Sequence, residues 1–370
     1  MTQPHAECPE PIGRWFNDAV NRGRTPAAQY VAVNAQGQLA SCAVGLADLA
    51  SARSMTPNTT LMAYSMSKTI TAIAVLQLVE CDLIELDAPV EHYLPDSPYG
   101  PAITIRDLLA HLGGLPNPIP LRWVHAAREH ATFDERAAIN AILRANPKLA
   151  HPPGTRYRYS NIGYWMLGMV VERVTGGRFA DYVRQHVFDA VGLTAEDLGC
   201  SVADPTQHAS GYLERWSPIG LFAPFLIDRT LLGDTHGRWR QVRDHYPNGP
   251  AFGGLVGTAA AFGRILQDLL QPRSVLLGNR GRTLLETQQK TRAGTDVPMT
   301  LGWHLGERHG TRVLFKEGGG GGFHCLMRIY PSRGLGSVVM TNATRFDVHE
   351  CLNTVDPMLP AWTACGRTQG

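Results

Sequence analysis

The chain has 370 residues, 44% hydrophobic and 18% charged, with a formal net charge of +2. This is enough apolar material for a large core in two lobes, and the basic runs of a nucleic-acid binder are missing. No apolar run is long enough to span a membrane, Met1 to Glu10 has no apolar signal core, and 38 Gly with 25 Pro imply tight turns and not disorder.

Pro11 to Arg22 has helical spacing at Ile12, Trp15, Phe16 and Val20. Ala28–Val33 and Leu39–Leu46 read as two strands joined across Asn34-Ala35-Gln36-Gly37-Gln38. After a break at Thr56-Pro57-Asn58 comes Tyr64-Ser65-Met66-Ser67-Lys68, followed by an apolar run from Thr69 to Val79. That run is too evenly apolar for a surface helix and reads as one buried nearly all round. Leu86–Pro95 is loop-like. Ile103–His111 is a capped helix running into Gly113-Gly114-Leu115-Pro116, and Thr132–Ala145 is an Ala-rich helix. Pro152-Pro153-Gly154 turns the chain toward Tyr159-Ser160-Asn161 and a helix over Ile162–Val174.

Residues 202–250 hold Tyr212, Trp216, Phe222, Phe225, Trp239 and Tyr246 with poor periodicity. This segment reads equally as a wall or lid over a pocket and as a surface excursion packed by its own aromatics. A helix follows at Ala259–Leu270, then strands at Arg312–Lys316, Phe323–Tyr330 and Gly336–Thr341, and a last helix over Val348–Leu359. The expected fold is α/β (an α+β sandwich), with one antiparallel sheet built from both chain ends and flanked by helices. Residues 1–68 and 295–370 would form the sheet domain, and 69–294 a mostly helical insertion. Seven scattered cysteines (Cys8, Cys42, Cys81, Cys200, Cys325, Cys351, Cys365) read as reduced thiols, not a disulfide framework or a zinc site. With no export signal read, a cytoplasmic location is expected.

Ser65 and Lys68 stand three residues apart, so a helix would bring them to one face at its first turn. The helix dipole disfavours an ammonium there, which lowers its pKa and makes Lys68 a candidate base. The bland alternative is an N-cap serine with a solvated lysine.

Ser65-Met66-Ser67-Lys68, Tyr159-Ser160-Asn161 and Lys316-Glu317-Gly318, in that order, resemble the S-x-x-K, Y-x-N and K-x-G motifs of the serine beta-lactamase and penicillin-binding-protein superfamily. Ile103–Pro116, Pro153–Tyr164 and Gly253–Ala260 resemble its flanking segments, and the likeness covers roughly residues 10–350. It is nearest the class C beta-lactamase branch, which also holds family VIII carboxylesterases, D-amino-acid peptidases and some acyltransferases. The resemblance implies a beta-lactamase/transpeptidase-like fold and a Ser65 acyl-enzyme. Lys68 would take the serine proton, and Tyr159 would protonate the leaving group and then activate water. A phenol acting near neutrality needs positive neighbours, which Lys68 and Lys316 would supply. Asn161 would hold Lys68 or a substrate carbonyl. Lys316 and Gly318 would support substrate, and the N–H groups of Ser65 and Gly319 would form the oxyanion hole.

Other readings stand beside these. Tyr159 with Tyr157 would be a packed aromatic pair, Asn161 a helix cap, and Lys316 a surface strand lysine. His111 and His324 read as structural hydrogen-bonders. The glycines 318–322 would let substrate approach the strand. No G-x-S-x-G elbow and no H-E-x-x-H occurs, and neither cofactor nor metal is implied.

Glu317 replaces the hydroxyl usual at that position in beta-lactamases and cell-wall peptidases. Facing the site, it would repel an anionic substrate; alternation along the strand would turn it away. Together with the expected location, this favours a family VIII-type carboxylesterase acting on small esters. The alternatives are an amidase, D-amino-acid peptidase or beta-lactamase of the same superfamily, or a non-catalytic penicillin-binding-like scaffold. The expected partner is a small ester or amide substrate, with no nucleic acid and no membrane span.

Overall fold

A computed structural model describes residues 7–118, 123–226 and 228–364. The chain begins with α1 (Glu10–Asn21), β1 (Ala27–Asn34), β2 (Gly37–Asp48) and the short β3 (Arg53–Ser54). A largely helical interval holds α2 (Ser67–Glu80), α3 (Asn161–Thr175) and α4 (Ala259–Leu270). It leads to β4 (His304–Arg308), β5 (Thr311–Gly320), β6 (Phe323–Tyr330), β7 (Leu335–Thr341) and α5 (Val348–Val355). The strands make one antiparallel sheet in the order β4-β5-β6-β7-β1-β2-β3. Its two halves join where β1 pairs with β7, with Val31 opposite Val338. The expected sheet from both chain ends is therefore the observed architecture.

β1 and β7 are apolar along their length because helices cover both faces of the sheet. Tyr30 and Ala32 join Ile12 and Phe16 of α1 and Leu352 of α5 on one face. Val31 and Val33 point the other way and pack with Phe262 and Leu266 of α4 in the larger core, which α2 and α3 share. In α2 every residue except Gln77 and Glu80 is buried, which explains why its sequence shows no polar stripe.

Local signals place the boundaries. Thr104 and Asp107 form a capping box at the start of the Ile105–Leu109 helix, and Asp134 caps Glu135–Ala145, so the second helix begins later than its Ala-rich run suggests. Leu86–Pro95 contains one helical turn at Val90–Tyr93. β4 escaped the sequence reading because it is a short, half-buried edge strand.

The 202–250 segment is more ordered than its pattern suggests. Gly211–Glu214, Trp239–Val242 and Leu232–His236 form a three-stranded sheet of their own, and Pro218–Leu226 is a helix. Tyr212, Trp239 and Tyr246 are buried, while Trp216 and Phe222 are exposed.

The cysteine reading needs correction. Cys8 and Cys42 form a disulfide across a sequence separation of 34, since the docking of α1 on β2 brings together residues far apart in the chain. Cys81, Cys200, Cys325 and Cys351 are free, and Cys365 lies outside the described residues. The expectation of a cytoplasmic location thereby loses the support of wholly reduced thiols. No helix among the described residues is long and apolar enough to cross a membrane.

Candidate active site

Ser65 lies in a single 3-10 turn, Tyr64–Met66, that runs directly into α2, so Lys68 occupies the first turn of that helix. Tyr64 holds a left-handed backbone with φ of 44°, an uncommon conformation for a bulky residue. The turn is pressed against β5. A Cβ added to Gly318 would stand 2.1 Å from the Ala63 carbonyl oxygen, and one on Gly320 would stand 2.3 Å from the Tyr64 ring. These two glycines admit the turn that carries Ser65, where the sequence had suggested an approach for substrate. The Tyr64 hydroxyl donates to the Gly321 carbonyl at 2.9 Å and lies 3.0 Å from His245 Nε2, which links the 202–250 segment to the site.

The Gly253–Ala260 signature and its approach supply partners for the buried start of α2. Ala251 O accepts from Thr71 Oγ1 at 2.7 Å, Leu255 N–H donates to Ser67 Oγ at 3.1 Å, and Phe252 O lies 2.6 Å from Lys68 Nζ. The 111–117 loop templates the Tyr159 segment. Ser160 Oγ donates to Pro116 O at 3.0 Å, and Asn161 N–H donates to Asn117 Oδ1 at 3.0 Å. Ser160, not Asn161, caps α3, which leaves the Asn161 amide free to turn toward Lys68.

These supports bring three separated motifs together. Ser65 Oγ lies 2.7 Å from Tyr159 Oη and 3.1 Å from Lys68 Nζ. Lys68 Nζ is also 2.7 Å from Asn161 Oδ1. Lys316 is fully buried, so the surface-lysine reading does not hold, and its ammonium nitrogen stands 5.3 Å from the Tyr159 ring centre with no hydrogen-bond partner. The Tyr157 hydroxyl lies 3.1 Å from His304 Nε2 and has its own partner there. Gly319 pairs with His324 across β5 and β6, beside Gly318 and the nucleophile turn.

The electrostatics follow from burial. Lys68 is held well below the ordinary lysine range, first by desolvation and then by Lys316. No carboxylate is among its hydrogen-bond partners. Its three neighbours, Asn161 Oδ1, Phe252 O and the Ser65 hydroxyl, are all uncharged, so no counter-charge offsets the cost of burying an ammonium there. Burial brings Lys316 down to about 7. Tyr159 goes the other way: burial raises it above the ordinary phenol value, and the Ser65 hydrogen bond offsets this only in part. The expectation that nearby lysines would ease its ionisation is therefore corrected, because burial dominates at this phenol. Glu317 turns to the opposite face of β5, where His324 Nε2 lies 2.7 Å and His349 Nε2 3.0 Å from its two oxygens. Those two hydrogen bonds hold its carboxyl well below the usual range.

Three further residues stand beside Ser65, Lys68 and Tyr159: Tyr164 and His304, which the sequence did not single out, and His111, which it read as a structural hydrogen-bonder. His111 and Tyr164 are buried beside Tyr159 and Lys68, and the His304 ring stacks 6.4 Å from that of Tyr159. Their only advance signal was proximity in sequence to the motif segments. Among the described residues no group of three or more His, Cys, Asp or Glu is placed to hold a metal ion.

Comparison with known proteins gives a family and a fold. The model of the Beta-lactamase family matches residues 12–354. Esterase EstB of Burkholderia gladioli is 28% identical over 321 residues, covering 79% of this chain and 76% of the esterase. A D-aminopeptidase of Cereibacter sphaeroides is 32% identical over 185 residues, 50% of this chain and 35% of that protein. The chain thus spans about a third of the length of the first curated relatives it matches. Among solved structures, the D-amino acid amidase of Ochrobactrum anthropi SV3 superposes with a TM-score of 0.78 at 20% identity, covering 94% of this chain and 97% of that one. A class C beta-lactamase from Rhodobacter sphaeroides gives 0.69 at 21% identity, covering 94% and 98%. At those identities the two structures speak for the fold alone. The family profile covers nearly the whole described chain, and the chain belongs to the Beta-lactamase family, a family of serine hydrolases.

Proposed function

We propose that the protein is a carboxylesterase that cleaves small esters through an acyl-enzyme on Ser65. One observation carries this reading: Ser65 Oγ stands between a half-buried phenol at 2.7 Å and a buried amine at 3.1 Å whose other partners are neutral. In this reading neutral Lys68 takes the Ser65 proton as Oγ attacks the ester carbonyl. The N–H groups of Ser65 and Gly319 receive the oxyanion, and Tyr159, kept protonated by burial, gives its proton to the departing alkoxide. The pair then stands as Lys68 ammonium and Tyr159 phenolate; the phenolate takes a proton from the water that attacks the acyl carbonyl, and Lys68 returns its proton to Ser65 Oγ as the acyl–oxygen bond breaks. Asn161 orients Lys68, while Lys316 and Gly318 shape the wall that receives the substrate. Residues 1–68 with 295–370 form one part of the machine and 69–294 the other, with the reacting groups where they meet.

The preference for an ester rests on the EstB similarity, which spans about three-quarters of both chains. Glu317 does not repel an anionic substrate from within the site, because its carboxylate is engaged on the far side of its strand. A second reading, cleavage of D-amino-acid amides, is favoured by the D-aminopeptidase relative, which is 32% identical over half of this chain.

The test is a panel of p-nitrophenyl acetate and butyrate, D-phenylalanine amide and a chromogenic cephalosporin, with intact-mass detection of a phosphonate adduct. The expected result is ester turnover and one adduct, both abolished by Ser65→Ala. Turnover of the amide or the cephalosporin with inert esters would overturn the ester assignment. Absence of both adduct and turnover would point to a binding scaffold.

A further inference from the structure

His111 follows the capped Ile105–Leu109 helix and holds a left-handed backbone, φ 56°, one of only five non-glycine residues with positive φ among those described. Such strain persists where the surroundings enforce it. Here the enforced geometry grips one segment. The His111 carbonyl accepts the Arg158 N–H at 2.9 Å, and its ring Nδ1 accepts the Ser160 N–H at 3.3 Å. The two bonds fall on the residues immediately before and after Tyr159. The imidazole itself lies against the Tyr159 phenol, with ring centres 4.4 Å apart and planes inclined by 39°. His111 is 2% exposed, so neither water nor a mobile side chain takes its place.

An Nδ1 that accepts an N–H carries no proton, so the ring must be neutral. The groups around it keep it so. Burial acts first, followed by Lys316, Lys68 and His304. Tyr157, Tyr159 and Tyr164 are the titratable groups whose rings face it.

We propose that His111 is a positioning residue for Tyr159: backbone carbonyl, ring nitrogen and ring face together fix the phenol 2.7 Å from Ser65 Oγ, so that proton delivery to the leaving group depends on it and substrate binding does not. The proposal rests on the reading of Tyr159 as proton donor.

Leaving groups separate this role from plain core packing. A p-nitrophenolate departs without help, whereas an alkoxide needs a proton. His111→Ala is expected to lower the single-turnover acylation rate with an alkyl ester by about 100-fold, with apparent affinity within about threefold, and that with the p-nitrophenyl ester of the same acid by less than about fivefold, deacylation being common to both esters and followed separately. His111→Asn retains a hydrogen-bond acceptor near Nδ1 and tolerates the left-handed backbone. It should regain about tenfold of the alkyl-ester loss. In a Tyr159→Phe background, either substitution should cost no more than about twofold, because the group being positioned is gone.

Should His111→Ala not fold, His111→Asn carries the cycle, and its smaller loss must vanish in the same background. Equal losses on both esters, or losses that multiply with those of Tyr159→Phe, would overturn the proposal. Full alkyl-ester turnover by Tyr159→Phe alone would instead sink the reading of Tyr159 on which it rests.

Discussion

The two faces of β5 differ by one residue in sequence and by almost everything in environment. Toward α2 the strand presents Lys316, Gly318 and Gly320. The lysine is buried without a hydrogen-bond partner, and the glycines give way to the nucleophile turn. On the other face Glu317 is partly open to solvent and holds two histidines from β6 and α5. One face keeps charge unpaired and desolvated, where it acts on proton affinities. The other holds its carboxylate by hydrogen bonds from two histidine rings, directed away from Ser65. The middle residue of the K-x-G motif thus acts on the fold more than on the substrate, and the reason is strand parity.

The sharpest break of this comparison lies just across from the inner face, at Lys68. Lys68→Arg keeps the positive charge and removes any usable base, since a guanidinium does not deprotonate in proteins. Acylation by a p-nitrophenyl ester, followed in stopped flow, should fall at least about 1,000-fold. Near-normal acylation would remove Lys68 from the mechanism.

Next comes Lys316→Met, which fills similar space without the amine. kcat/KM should drop by about 100-fold, as for the loss of one preorganised polar group at a reacting centre. Lys316 is one of the two influences that hold Lys68 low, so without it the Lys68 proton binds more tightly. The acid limb of the pH–rate profile should then move to higher pH, and an unmoved limb would show that the two lysines do not communicate.

The same substitution should alter stability against pH. Folding brings Lys316 from 10.5 down to about 7, so between those values the unfolded chain binds a proton that the folded chain does not. Stability contributed by this group therefore rises with pH across that window and is lost as pH falls through it. Thermal melts of the wild type minus those of Lys316→Met should show this slope, and parallel melts would refute it.

Gly320→Ala tests the close approach itself. Its methyl would meet the Tyr64 ring at 2.3 Å, and overpacking of this kind costs about 1–3 kcal/mol. Denaturant unfolding reads the loss, and slower acylation should accompany it because Tyr64 precedes Ser65. The smallest effect belongs to the outer face. Glu317→Gln should change kcat/KM by less than about threefold and stability by about 0.5–1 kcal/mol, a modest sum because the carboxylate is partly solvated. A 100-fold loss of activity there would erase the contrast between the faces.

Much of the site was legible because its groups sit in short, rigid spacings. A serine and a lysine three apart before an apolar run must share a helix face, and Tyr159 with Asn161 straddles a helix start marked by Ser160. The large strands were legible from their β-branched and apolar runs. His111 was not, because its role consists of two hydrogen bonds to a segment some 49 residues away. The small sheet in 202–250 was hidden by short strands whose burial does not alternate cleanly, such as Leu232–His236. The Cys8–Cys42 bond was hidden because spacing along the chain says nothing of distance across a helix–sheet contact.

The sequence by itself determined the fold class, the order of elements and the identity of the three motifs, since these follow from local periodicity, caps and fixed residue spacing. Only the tertiary structure decided which charges are bare and which are paired. Lys68 and Lys316 are low because the fold desolvates them, Tyr159 stays protonated for the same reason, and Glu317 is held low by hydrogen bonds to histidines delivered from other elements. Proton affinity depends on what surrounds a group in space, and no reading along the chain contains that.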